Sequence, residues 1–207
     1  MRITVFGASG SVGRHVVEQA LRNGHDVTAF TRDRARITAS DPRLEIVEGD
    51  ATDPEALLPA VKGVDAVIVA LGDGRKGGIR EAGTAAVIDA MESAGVRRLI
   101  CQSTIGVGDS RGNLTFWWKY VVFGALLRPA YQDHVRQEEL VRASALDWTI
   151  VRPSAFTDGP VTGGYRHGFD GQDRTTQLKI ARADVAHFLI GQLDDDSHVG
   201  RAVSLSY

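Results

Sequence analysis

One short stretch, Gly7-Ala8-Ser9-Gly10-Ser11-Val12-Gly13, restricts what this chain can fold into more than any other. It sits between an apolar run with strand character, Arg2–Phe6, and a segment of helical periodicity, Val12–Asn23. Glycines at such a junction permit a tight turn, let a ligand approach the backbone, and bring helix close to strand. The N–H groups and dipole at the helix start favour a pyrophosphate there. The spacing is G-x-x-G-x-x-G rather than the commoner G-x-G-x-x-G, so a purely structural turn is the competing reading. The strand–loop–helix setting favours dinucleotide binding by Gly7, Ser9, Gly10, Ser11, Val12 and Gly13.

The rest of the chain continues that opening. Short β-branched runs (Asp26–Thr31, Leu44–Glu48, Ala66–Ala70, Arg98–Cys101, Trp148–Val151 and Ala202–Leu205) alternate with helical patterns near Pro54–Val61, Ile79–Ser93, Gln132–Ser144 and Ala183–Leu193. Such alternation predicts an α/β, Rossmann-type, doubly wound parallel sheet. Continuous runs such as Ala66-Val67-Ile68-Val69-Ala70 suit strands covered on both faces. Gly24, Gly95 and the Asp53-Pro54 pair punctuate the helices. A length of 207 residues is enough for one such domain, 1–207, and too short for two. A net charge of −2 offers no global field for nucleic acid or an anionic membrane, so an anionic ligand must be held by local cations. One cysteine, Cys101, excludes an internal disulfide, and His15, His25, His167 and His198 lack partners at metal-ligand spacing. No metal site, signal peptide or membrane insertion is expected, and the default is a cytoplasmic monomer or homodimer.

Two regions break the alternation. Gly106–Pro129 joins a polar turn to the aromatic cluster Phe116-Trp117-Trp118-Lys119-Tyr120, and Asp158–Lys179 is rich in Gly, Thr and Asp. Both follow strands of the second half of the sheet, where doubly wound folds place a substrate pocket. Segments of about 106–130 and 154–180 are therefore expected to form small pocket elements, with Trp117, Trp118 and Tyr165 among the walls. A packed helical insertion and a surface loop are the alternative.

Individual side chains sharpen the expectation. Arg32 follows the second strand where NAD-specific domains usually carry an acid, and a guanidinium fork suits a 2′-phosphate instead. NADP(H) is thus expected over NAD, with Arg34 either assisting or solvated and Asp33 turned away. Asp50 can accept from an adenine amino group, Ala51 lies beside it, and small residues at Ala70-Leu71-Gly72 admit a ribose. Ser103, past the Arg98–Cys101 strand, can hydrogen-bond the nicotinamide carboxamide or a substrate heteroatom; capping its own strand end is the alternative, and Thr104 is in reserve. His134 can donate from the pocket rim or serve a helix start, where Asp133 supplies a favourable charge. His187 reads as packing or surface. No tyrosine has a lysine four residues on: Tyr120, Tyr131 and Tyr165 are followed by Gly124, Val135 and Phe169. Without that acid pair, unactivated ketones are poor substrates, whereas flavins and quinones spread the added electrons.

These residues resemble the atypical short-chain dehydrogenase/reductases of the NmrA-like kind, and most of all the biliverdin reductase B/flavin reductase family. The resemblance spans nearly the whole chain. It rests on Phe6–Gly10, Thr31-Arg32-Asp33, Gly49-Asp50, Asp65–Val69 with Leu71-Gly72, Cys101 with Ser103, Asp133–Arg136, Pro160–Tyr165 and Asp184–Phe188. It implies NADPH-dependent hydride transfer to a small flavin-, quinone- or tetrapyrrole-like acceptor. It also implies a 2′-phosphate on Arg32, Ser103 beside the nicotinamide, and Pro153, Ser154, Ala155 and Phe156 lining that pocket. Where biliverdin reductase B carries a histidine this chain has Ala155, so a role for that imidazole does not carry over. The alternative function is a catalytically weak NADP(H)-binding redox sensor, and a sugar-nucleotide epimerase is disfavoured by the missing Tyr/Lys pair.

Overall fold

A computed structural model describes all 207 residues. The elements run β1 (Arg2–Phe6), α1 (Gly13–Arg22), β2 (Asp26–Thr31), β3 (Leu44–Glu48), α2 (Pro54–Val61), β4 (Ala66–Val69), α3 (Ile79–Ala94) and β5 (Arg98–Gln102). A 3₁₀ stretch (Gly108–Asn113) and a π-helix (Trp117–Leu126) follow, then α4 (Arg128–Ala143), β6 (Asp147–Pro153), β7 (Ala155–Thr157), β8 (Arg166–His167), β9 (Lys179–Ala181), α5 (Arg182–Gly191) and β10 (Arg201–Ser206). Eight strands form one sheet in the order β3-β2-β1-β4-β5-β6-β10-β8, parallel except for the short edge strand β8. Chain direction across the sheet reverses between β1 and β4, which opens a crevice at their carboxyl ends.

Burial follows from the strand composition. All four residues of β4 are inaccessible, because α1 and α5 cover one face of the sheet and α2, α3 and α4 the other. Val16, Val17, Val185 and Leu189 fill the first layer, and Leu57, Val87, Met91 and Val141 the second. Each such side chain contributes about 1.5–3 kcal/mol of transfer free energy. Local chemistry fixes the ends: Asp53 accepts from the Glu55 N–H ahead of α2, and Gly95 takes φ +72° to close α3.

Three expectations needed correction. The fourth helix begins at Arg128 rather than Gln132, since Pro129 opens it and satisfies the first-turn requirement. Asp133 and His134 therefore lie inside a helix, not at its start. The aromatic run coils as a π-helix, with the Leu127 N–H donating to the Val122 carbonyl five residues back (2.7 Å). Beyond Pro153, β7 and β9 pair as a separate two-stranded parallel sheet, where no strand was expected.

Candidate functional site

The crevice at the β1/β4 reversal deepens into a cavity of about 600 Å³. Its floor is the glycine loop. Gly7 holds φ +82°, and a methyl group there would come 2.5 Å from the Ala70 carbonyl oxygen. Gly13 closes the loop behind it, because a Cβ would lie 2.1 Å from the Gly7 carbonyl. The N–H groups of Ser11, Val12 and Gly13 make no hydrogen bond within the chain, and α1 has neither a capping side chain nor an acid in its first turn. Donors and dipole are thus left for an anion beside Gly10.

Arg32 and Arg36 line the same end of the cavity with Thr31, whose hydroxyl donates to Ser9 Oγ (2.9 Å). Arg34 is engaged elsewhere, donating to the Ile46 carbonyl (2.8 Å), and Asp33 accepts from the Ala35 N–H (3.0 Å) at the turn. That turn is what brings Arg36 round to join Arg32.

Further in, the wall is polar and partly unpartnered. Ser103 is 1% exposed, its N–H donates to the Val151 carbonyl (2.7 Å), and its hydroxyl has no partner. The reading of Ser103 as a cap of its own strand end is therefore excluded. Gln102 Oε1 and Arg80 Nε, also at the cavity wall, are likewise unpartnered. Thr104 is half-buried beside them.

His134 reaches the cavity from α4. Gln137 Nε2 donates to Thr84 Oγ1 (3.0 Å), which turns Gln137 Oε1 toward His134 Nδ1 (3.2 Å). With the Gln137 amide in this orientation, Nδ1 carries the ring proton and Nε2 is left as an acceptor. Burial, with Arg80 nearby, pushes the imidazole pKa down to about 3, so the ring is neutral. Asp133 holds this arrangement in place. Its carboxylate accepts from the N–H groups of Arg80 (3.2 Å) and Glu81 (2.9 Å) and pairs with Arg80 Nη1 (3.3 Å). It thus caps α3 from α4, not the start of its own helix.

The opposite wall is apolar: Ile105, Leu114, Trp118, Phe123 and Leu127. Tyr131 stands among them, but its hydroxyl donates to the Gly106 carbonyl (2.9 Å). Leu178 completes the wall in the left-handed region (φ 53°), an uncommon strain for a non-glycine residue. Arg152 anchors this wall from β6, gripping Glu138 with two bonds (2.8 and 2.6 Å) and pairing with Asp109. Asn113 Nδ2 donates to the carbonyls of Asp170 (2.7 Å) and Asp173 (2.8 Å). Gly112 meets Gly171 so closely that a Cβ would lie 1.9 Å from its carbonyl oxygen.

Of the residues singled out from sequence, Gly7, Ser9, Gly10, Ser11, Val12, Arg32, Ala51, Ala70, Leu71, Gly72, Ser103, Thr104, Trp118, His134, Ser154, Ala155 and Phe156 share this cavity. Five do not line it. Trp117 points outward, 61% exposed, because the π-helix turns its neighbour Trp118 inward instead. Tyr165 packs on α5, its hydroxyl bonded to His187 (2.7 Å), and burial pushes its pKa up to about 12. Asp50 spends its carboxylate on the Thr52 N–H and hydroxyl (2.8 and 2.7 Å). Pro153 is buried in β6, its carbonyl accepting from the Ile105 N–H (2.9 Å), and Gly13 packs behind the loop. Sequence reasoning missed Arg36, Arg80 and Gln102. Only Gln102, next to Ser103 at a strand end, carried a signal that a closer reading could have used.

The NAD(P)H-binding family matches residues 7–196. A sugar epimerase-named protein of Bacillus subtilis, YhfK, is 27% identical over 100% of this chain and 94% of its own. The Escherichia coli O157:H7 structure of ChuY, described as an anaerobilin reductase, is 26% identical, with TM-score 0.81 over 100% of this chain and 97% of that one. A short-chain dehydrogenase/reductase of Veillonella parvula in complex with NADP has the same fold at 20% identity, with TM-score 0.86 over 100% and 94% of the two chains.

Proposed function

The chain belongs to the NAD(P)H-binding family, in the atypical short-chain dehydrogenase/reductase, NmrA-like group, and from that premise we propose an oxidoreductase that uses NADPH to reduce a flat conjugated acceptor such as a flavin or quinone. One observation carries the reading. A single cavity joins a glycine cradle and two cations at one end to an apolar wall at the other, with the unpartnered Ser103 hydroxyl at its side. The reductase name of ChuY supports it. The epimerase name of YhfK is the weaker guide, because Tyr131 is the only tyrosine at the cavity and its proton is committed to Gly106.

The residues divide the work. Arg32 and Arg36 would hold the 2′-phosphate, and the free N–H groups of Ser11 and Val12 the pyrophosphate. Bare Gly7 fits the cradle, where any side chain would strike Ala70. When bound, the reduced nicotinamide supplies a hydride. Ser103 Oγ would donate to the carboxamide or to a heteroatom of the acceptor, satisfying a hydroxyl that is otherwise buried without a partner. His134 Nε2, neutral and turned by Gln137, would accept from an N–H or O–H of the acceptor. Trp118, Phe123 and Leu178 would exclude water from one side of it. No group here is placed to protonate an alkoxide, so the acceptor must spread the added electrons and take its proton from solvent.

Titration with NADPH and NADH, followed by FMN or a small quinone, tests the reading. Tighter binding of NADPH and saturable loss of its absorbance are expected, with turnover falling about tenfold or more in Ser103→Ala while binding persists. Tight binding without turnover across an acceptor panel would overturn the reductase reading in favour of a redox sensor.

A further inference from the structure

We propose that the outer face of the π-helix docks on an anionic lipid bilayer surface. Four of the eight large apolar side chains that the protein exposes lie within this one element and its cap: Phe116 (75%), Trp117 (61%), Tyr120 (56%) and Leu126 (59%). Phe116 and Tyr120 stack on each other with ring centroids 4.7 Å apart. They pack against nothing else aromatic, while the inward side of the same helix, Trp118 and Phe123, is already occupied by the cavity wall.

Charge identifies the occupant. The chain as a whole carries −2, yet no Asp or Glu occurs between Asp109 and Asp133, a stretch that contains Arg111, Lys119 and Arg128. Gly77 lies against Pro129, where a Cβ would come 2.8 Å from its carbonyl, and this brings exposed Arg75 and Lys76 beside the end of the π-helix. None of Arg75, Lys76, Lys119 or Arg128 has a carboxylate within ion-pair distance. Aromatic rings bordered by unpaired cations match the headgroup zone of an anionic membrane, where rings enter the interface and Lys and Arg meet phosphate. A second copy fits poorly, because a two-fold contact would set these cations against themselves. The element has 10 residues and no helix is long and apolar enough to cross a bilayer, so it would lie in the interface plane.

Flotation of the full chain with vesicles of phosphatidylcholine alone, or of phosphatidylcholine mixed with phosphatidylglycerol, tests the proposal. Binding is expected to be about tenfold or more stronger on the anionic vesicles and to weaken with salt. Phe116→Ser/Tyr120→Ser and, separately, Arg75→Glu/Lys76→Glu should each lose flotation. Neither pair lines the cavity, so unchanged NADPH binding reports that the variants are folded. No flotation with anionic vesicles, equal flotation with neutral ones, or unaffected variants would overturn docking. So would a concentration-dependent dimer that Phe116→Ser/Tyr120→Ser dissociates. No turnover is read, so failure here leaves the reductase reading untouched.

Discussion

At the scale of single residues, two side chains make opposite use of charge. Arg32 sits exposed at the cavity mouth with its charge unspent, and Arg36 joins it from a turn. Arg32→Ser is expected to weaken NADPH binding about ten- to a hundredfold, the loss of one or two charge-assisted bonds, and to leave NADH binding unchanged. Equal loss for both cofactors, measured by fluorescence titration, would refute a 2′-phosphate contact. His134 is useful because it carries no charge. Burial holds its pKa at about 3, whereas in the unfolded chain it takes a proton near 6.5. The folded-state value is depressed, so stability is unaffected above about pH 6.5 and is lost as pH falls from there toward about 3. His134→Gln should therefore lose less stability than the native chain between about pH 7 and pH 5, by about 2 kcal/mol, in urea titrations at the two pH values. An identical slope for both proteins would place the proton elsewhere.

Among the elements, the most consequential contact joins α3 to α4. Asp133 supplies the cap that α3 lacks in its own sequence, where Gly78 offers no side chain. Asp133→Asn leaves Arg80 buried without its counter-charge, and a loss of about 2–4 kcal/mol is expected in chemical denaturation. A change below about 0.5 kcal/mol would show that the pair is dispensable. This contact also explains what could and could not be read in advance. The strands and helices through Gln102 are local matters of periodicity and punctuation, and their expected bounds fall within a few residues of the observed ones. The cap from Asp133 depends on two helices meeting 52 residues apart in the chain, and nothing in the local sequence points Asp133 away from its own helix. The π-helix was hidden because Trp117–Leu126 is apolar at almost every position, with Lys119 the one charge, and so shows no periodic polar face to read. The β7–β9 pair joins two strands of three residues each across a long loop, with too little alternation in either to mark it.

For the whole molecule, the cavity is assembled largely from loops that follow β1, β2, β3, β4, β5 and β6, so a bound dinucleotide would tie both halves of the sheet together. NADPH at a hundredfold excess over its dissociation constant should stabilise the fold by about 2.7 kcal/mol. For a chain of this size that corresponds to a rise in Tm of about 5–10 °C. Thermal scans with NADPH, NADH and neither would check it, and no shift with NADPH would argue against occupancy of the glycine cradle. At this scale most of the cofactor end was legible, because the glycine spacing is written contiguously and Arg32 directly follows the second strand, while Arg36 joins it only through the turn. The acceptor end was legible only in part: Ser103, Thr104, Trp118 and His134 stand out one by one, whereas Arg80 and Gln102 come from separate elements and join them only in space. Finally, the meeting of Gly112 with Gly171, locked by Asn113 on the carbonyls of Asp170 and Asp173, makes two distant stretches inseparable. Chimeras that graft only one of them from a relative would bring mismatched halves, so acceptor preference should transfer only when both are exchanged together, as a single heritable unit.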